Sequence, residues 1–158
     1  MEEENKNLNE EKAVAVVKNE SVTELGTKIQ VETTIQDKKE IFNIENGDIE
    51  IKLNDIVGQE IVLKDVFMKR VESKLKQEDI EFNEETGEII TDTKISIITI
   101  LVDEDGKKYV TASKIFAMSM FNLIRTFGVE DIQKGIKIRI IKKSISNSVN
   151  KALSFELV

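Results

Sequence analysis

The sequence predicts a mainly β fold: a small five-stranded barrel with one capping helix, preceded by an N-terminal β extension and carrying a β-hairpin arm. Three observations point there. Runs of β-branched residues are separated by turn signals, one long apolar stretch at Lys114–Phe127 has helical spacing, and that stretch falls between the third and fourth strands of the main body.

Residues 1–26 are acidic, Asn-rich and weakly patterned around the short apolar run Ala13–Val17, and are expected to form a flexible tail ahead of a single domain at residues 27–158. The tail either has no dedicated role, docks on a partner, or competes with an anionic ligand for a basic surface. Lys28–Ile35 alternates as a strand does, and Glu40–Ile44 reads as a second short strand ahead of Glu45-Asn46-Gly47-Asp48, whose Asn-Gly pair signals a turn. Ile49–Leu53 is a further short strand and Asn54–Gly58 a turn into the long strand Glu60–Glu72. Even and odd positions of that strand do not separate into core and surface, which predicts a bulge or bend part-way along.

Ser73–Thr93 is the long connection, with two basic residues against seven acidic ones. Within it, Ile80–Asn83 and Glu88–Thr91 can pair across Thr86-Gly87 as an exposed arm. Lys94–Val102 is a β-branched strand, and Asp103-Glu104-Asp105-Gly106 supplies the acceptors and the positive-φ residue of a tight turn. The return strand Lys107–Ala112 alternates, with Val110 and Ala112 assigned to the core and Tyr109, Thr111 and Ser113 to the opposite face. Ser113 can cap a helix from Lys114 to Phe127, closed by Gly128. Phe116, Met120, Leu123, Ile124 and Phe127 form its apolar face and read as core packing.

Val129–Lys134 leads through Gly135 into the strand Ile136–Lys142, where Ile136, Ile138 and Ile140 alternate with Lys137 and Arg139. Lys142–Asn150 is a polar, flexible loop, and Lys151–Val158 closes the chain with Leu153, Phe155 and Leu157 on one face. From Glu60 the order is therefore strand, strand, strand, helix, strand, strand. This is the order of the OB-fold, a five-stranded barrel that binds oligonucleotides or oligosaccharides on its second and third strands.

The 158 residues include neither cysteine nor histidine, which removes thiolate nucleophiles, imidazole bases, Ser-His-Asp arrangements, zinc sites and disulfides together. The 30 acidic residues show no spacing that gathers them into a metal site, so no catalytic residue, metal or cofactor is expected. No apolar run of membrane-spanning length and no basic leader precedes an apolar segment, so an intracellular protein is expected.

The net charge of −7 is unevenly divided. Residues 1–60 carry 15 acidic and 7 basic side chains, a balance of −8, while residues 61–158 carry 15 and 16, a balance of +1. Ile132–Val158 alone has six basic residues against Glu156. A basic end on an acidic protein fits a polyanionic partner.

Tyr109, the only tyrosine and one of eight aromatic residues, is the expected platform for base stacking. Phe67 on the long strand is a second candidate. Phosphates would be held by Lys64, Lys69 and Arg70 on the long strand, Lys94 and Lys108 on the next two, and Arg139, Lys142, Lys143 and Lys151 around the last loop. Taken singly, each lysine also reads as an ordinary solvated charge. An oligosaccharide site is disfavoured by the single tyrosine and absent tryptophan.

The segments Lys38–Asn46 (KKEIFNIEN), Leu53–Val66 (LNDIVGQEIVLKDV) and Val102–Ser113 (VDEDGKKYVTAS), with the apolar helix ending in Phe127-Gly128 and the basic strand after it, resemble single-stranded DNA-binding proteins encoded by phages of Gram-positive bacteria, including those with protein-primed genomes. The resemblance covers about residues 31–158. It implies an OB-fold protein that coats replication intermediates, and it carries the stacking role onto Tyr109. The chain departs from that pattern in its long acidic arm, Gln77–Asp92, and in ending at Phe155–Val158 without an acidic C-terminal tail, so that any recruiting role would fall to the N-terminal tail.

The resulting expectation is a non-catalytic protein that coats single-stranded DNA, without sequence specificity, during phage DNA replication in the cytoplasm of the bacterial host. Partners would be single-stranded DNA and phage replication proteins, with no membrane, as a monomer or with weak self-association along DNA. The alternative is a protein-interaction OB module of a phage replication or particle assembly.

Overall fold

Fifteen consecutive residues, Glu60–Lys74, form one strand, and the other sheet elements are arranged along it. The protein is described by a computed structural model covering residues 17–22, 27–75, 81–91, 93–144 and 150–158. Its elements in chain order are β1 (Val17–Val22), β2 (Lys28–Thr33), α1 (Lys38–Asn46), β3 (Ile51–Lys52), a 3-10 turn (Leu53–Ile56) and β4 (Glu60–Lys74). They continue with β5 (Glu81–Phe82), β6 (Ile89–Thr91), β7 (Thr93–Asp103), β8 (Lys108–Thr111), α2 (Lys114–Gln133), β9 (Ile136–Ser144) and β10 (Lys151–Leu157).

One edge of β4 pairs antiparallel with β7 from Leu63 to Lys74. The other edge is shared: Glu60–Leu63 pair with β9, and Phe67–Glu72 pair with β2. Between these two ladders the register on β7 slips between Leu63 and Asp65, the bulge that the unsorted alternation predicts. Thr33 and Thr34 fill the gap. The Thr34 hydroxyl accepts from the Val66 amide at 2.9 Å and donates to Asp65 Oδ1 at 2.8 Å, while the Thr33 hydroxyl donates to the Val66 carbonyl at 2.7 Å. Buried backbone groups that leave a ladder need such substitutes.

The sheet order is β1-β2-β4-β7-β8-β3, with β9 on β4 and β10 on β9. The free edge of β8 takes β3 as a parallel partner, Ile51 opposite Tyr109, and among the described residues β10 pairs only with β9. The sheet therefore curls into a half-barrel and does not close through β8 and β10 as the five-stranded expectation required.

α2 fills the concave side. Ser113 caps it, its Oγ accepting from the Phe116 amide at 3.2 Å, and Gly128 breaks it at φ 78° as expected. The helix then resumes to Gln133, adding Val129 and Ile132 to the buried set. Phe116, Met120, Leu123 and Ile124 are buried as predicted, whereas Phe127, beside the break, is 37% exposed. Phe116 meets Phe155 edge-to-face with centroids 5.3 Å apart.

The outer side has a smaller core of Val31, Ile35, Ile44, Phe67, Ile100 and Val102, covered in part by α1. Here Glu40–Ile44, expected as a strand, is helical. Asp37 caps the helix by accepting from the Lys39 amide at 2.9 Å, Ile41 and Ile44 recur three apart toward the sheet, and Asn46-Gly47 ends the helix instead of forming a hairpin turn.

Ile49–Leu53, expected as a strand, narrows to Ile51–Lys52. Val17–Val22, assigned to the flexible tail, is a strand paired with β2. The rest of that tail and most of the loop after Ser144 lie outside the described residues. The arm forms as expected, β5 pairing with β6 in a sheet of its own, with Asn83 Oδ1 accepting from the Glu85 and Thr86 amides.

Candidate functional site

The turn after β7 decides where Tyr109 goes. Asp103 Oδ1 accepts from the amides of Asp105 and Lys107, both at 2.9 Å, which closes the turn around Gly106 (φ 81°). Its other oxygen accepts from the Tyr109 hydroxyl at 2.8 Å. Tyr109 stands opposite Leu101, faces the α2 side and is 6% exposed. Burial, then the Asp103 carboxylate, pushes its phenol up to about 12.

Tyr109 is thus a core residue that locks the turn, not an open stacking platform. The assigned faces of β8 are exchanged: Thr111 is buried with Tyr109, Val110 is half-buried on the outer side and Ala112 is exposed. Phe67, the second aromatic candidate, is 1% exposed in the outer core.

The nine predicted cations do not form one groove. Lys69, opposite Ile98, shares the outer face with Lys94, opposite Ser73, and Lys108, opposite Val102. Eight residues of β7 separate the ends of this row, about 26 Å at ~3.3 Å per residue. None of the three makes an ion pair among the described residues.

Arg70, one residue along β4, points to the opposite face, where it binds Glu72 at 3.2 Å and Gln30 at 3.3 Å. Lys64 lies at the bulge against the α2–β9 turn, its Cε 3.9 Å from where a side chain on Gly135 would begin. Arg139 is already engaged, donating to Glu156 at 2.8 Å and to Glu60 at 3.1 Å. That hydrogen bond, with Lys137 beside it, holds the Glu60 carboxyl below its usual value. Lys142, Lys143 and Lys151 are exposed together at the tip of the β9–β10 hairpin.

On the outer face, between the sheet and α1, lies a cleft of about 230 Å³. Phe67, Ile100 and Val110 form its floor, Ile44 and Ile49 one wall, and the 39%-exposed Ile98 its open side. Its polar groups are Lys69, Glu45 and Asp48. Gly47 fits the close turn at the end of α1: a Cβ there would stand 2.7 Å from the Asn43 carbonyl oxygen, so a larger residue would force the backbone beside the cleft to shift.

Sequence reasoning missed this cleft because it assigned 40–44 and 49–53 to strands joined by a turn at 45–48. The signal for Ile98 was present, since Lys94, Ser96 and Ile98 alternate with Ile95 and Ile97. Among the described residues no cluster of histidine, cysteine or carboxylate side chains could hold a metal ion, and no helix is long and apolar enough to cross a membrane. Compared with protein-family models, curated proteins and solved structures, the chain matches none.

Proposed function

We propose that this protein binds single-stranded DNA along the outer face of β4, β7 and β8, without reading a defined sequence, and coats replication intermediates of a phage in the cytoplasm of its bacterial host. The observation that carries the reading is the row Lys94, Lys69, Lys108. These are three cations free of ion pairs among the described residues, on one sheet face, with the exposed Ile98 among them. Strand order supports it. Counted from β4, and leaving out the arm, the order strand, strand, strand, helix, strand, strand is that of an OB-fold, and β7 and β8 stand where such folds hold oligonucleotides.

In this reading the half-barrel is an OB-fold whose closing contact is replaced by β3 on β8. The basic tip at Lys142, Lys143 and Lys151 flanks the track, and stacking on Tyr109 is given up. Apolar contact with Ile98 and phosphate pairing supply the affinity, and no chemical step is catalysed. Phage replication proteins are the partners this role implies.

Titrating a labelled oligo-dT at rising salt tests the reading. Each phosphate neutralised on a single strand contributes a slope of about −0.7 to log K against log salt, so three lysines predict a slope near −2. Binding absent at low salt overturns it. The surviving reading would then be a protein-interaction module, favoured by the exposed Ile115 and Met118 on α2, 47% and 60% accessible.

A further inference from the structure

We propose that the cleft between α1 and the outer sheet face takes one nucleobase of the bound strand, and that Glu45 and Asp48 make it favour bases bearing amino groups over thymine. This inference rests on the single-strand reading above and adds a base preference to it.

Size bounds the occupant. At about 230 Å³ the cleft falls below the roughly 300–1,000 Å³ of pockets that hold drug-sized ligands, which suits a single ring system entering from the open side at Ile98. In the floor Ile100 and Val110 match a flat apolar face, while Phe67 is 1% exposed and offers no open ring for stacking.

Charge sets the orientation. Two carboxylates against one ammonium leave the cleft with a net negative balance, which turns a phosphate away and admits a neutral base. Phosphates are instead drawn to Lys94 and Lys108, which lie on the same face outside the cleft, and to Lys69, which stands opposite Ile98 at the cleft's open side. The strand then lies with its backbone on the lysine row and one base turned inward.

The polar edge of that base meets Glu45 and Asp48, which as carboxylates only accept hydrogen bonds. Cytosine presents the N4 amino group and adenine the N6 amino group, whereas thymine presents carbonyl oxygens and a single N–H. Oxygens facing carboxylates gain no hydrogen bond and set like partial charges against each other. The preference is one of base type at one position, not of sequence.

The test compares labelled oligo-dC and oligo-dT of equal length, at one salt concentration and neutral pH, on the full chain and on the double variant Glu45→Gln/Asp48→Asn. Both positions are exposed, so folding is preserved. The expected result is binding about tenfold tighter to oligo-dC, the scale of one good base contact, with the ratio falling to near one in the variant.

Equal binding of the two oligonucleotides by the full chain overturns the inference and leaves the single-strand reading standing. An unchanged ratio in a variant that binds both more tightly does the same, since the carboxylates would then act only as charge. Binding of neither oligonucleotide removes the single-strand reading, and this inference with it.

Discussion

The two faces of the central sheet share β4, β7 and β8 and are covered by one helix each, yet they are closed to different degrees. On the concave side α2 buries seven side chains, and every strand from β4 to β10 except the arm contributes to a continuous core. On the outer side α1 buries Ile44 alone, Phe42 stands 65% exposed, and the cleft remains open beside Phe67 and Ile100. The contrast divides labour: the concave face carries stability, and the outer face keeps apolar surface accessible beside lysines that have no ion pair among the described residues.

Truncation on each side sharpens that division. Phe116→Ala removes a fully buried ring with its partner Phe155, and is expected to cost about 3–5 kcal/mol of unfolding free energy. Ile44→Ala should cost about 2 kcal/mol, because the space it leaves adjoins the open cleft and can be hydrated, which limits the cavity penalty. Denaturant midpoints measure both, and hydrogen exchange should show α1 opening well before α2. Equal costs would mean that the outer core is as closed as the inner one.

The next effect belongs to Tyr109. Its pKa rises from 10 to about 12 on folding, so the native state holds the phenolic proton more tightly than the unfolded chain does. That stabilisation is fully present below pH 10 and is lost as pH rises from about 10 to about 12; two units correspond to about 2–3 kcal/mol. As the only tyrosine, it gives a single phenolate absorbance transition. In Asp103→Asn the midpoint should fall part of the way back, since burial, the larger cause, remains. A midpoint near 10 in the unaltered protein would return Tyr109 to the surface.

What the sequence made legible follows from how local the signals are. α2 was readable because fourteen residues of 3.6-residue spacing sit between a capping Ser113 and a left-handed Gly128, and the bulge in β4 because the residues from Glu60 to Glu72 failed to sort into two faces. α1 was misread because Glu40–Ile44 is too short for a period of two to be told from one of 3.6, leaving Asp37 and the Ile41/Ile44 spacing as the deciding features. On β8, Tyr-Val-Thr-Ala suits either phase. The choice is made by Asp103, six residues back, which needs a hydroxyl donor on the concave side. Arg139 looked free because Glu60 and Glu156, its two partners, are brought to it only by the pairing of three strands.

The smallest effect tests that last point. On the single-strand proposal, Lys69→Ala, Lys94→Ala and Lys108→Ala should each weaken oligonucleotide binding and flatten the salt slope by about 0.7, because each removes from the proposed track a cation with no ion pair among the described residues. Arg139→Ala should change the slope little. Its guanidinium is already shared by two carboxylates at 2.8 and 3.1 Å, so it has few counterions to displace from a phosphate. Removing it leaves Glu60 and Glu156 facing each other across β9, which adds only a distant repulsion that salt screens. A larger loss for Arg139→Ala than for Lys69→Ala would move the strand from the outer face of β4, β7 and β8 to that of β9 and β10. The cleft beside α1 would then lie off the path of the DNA.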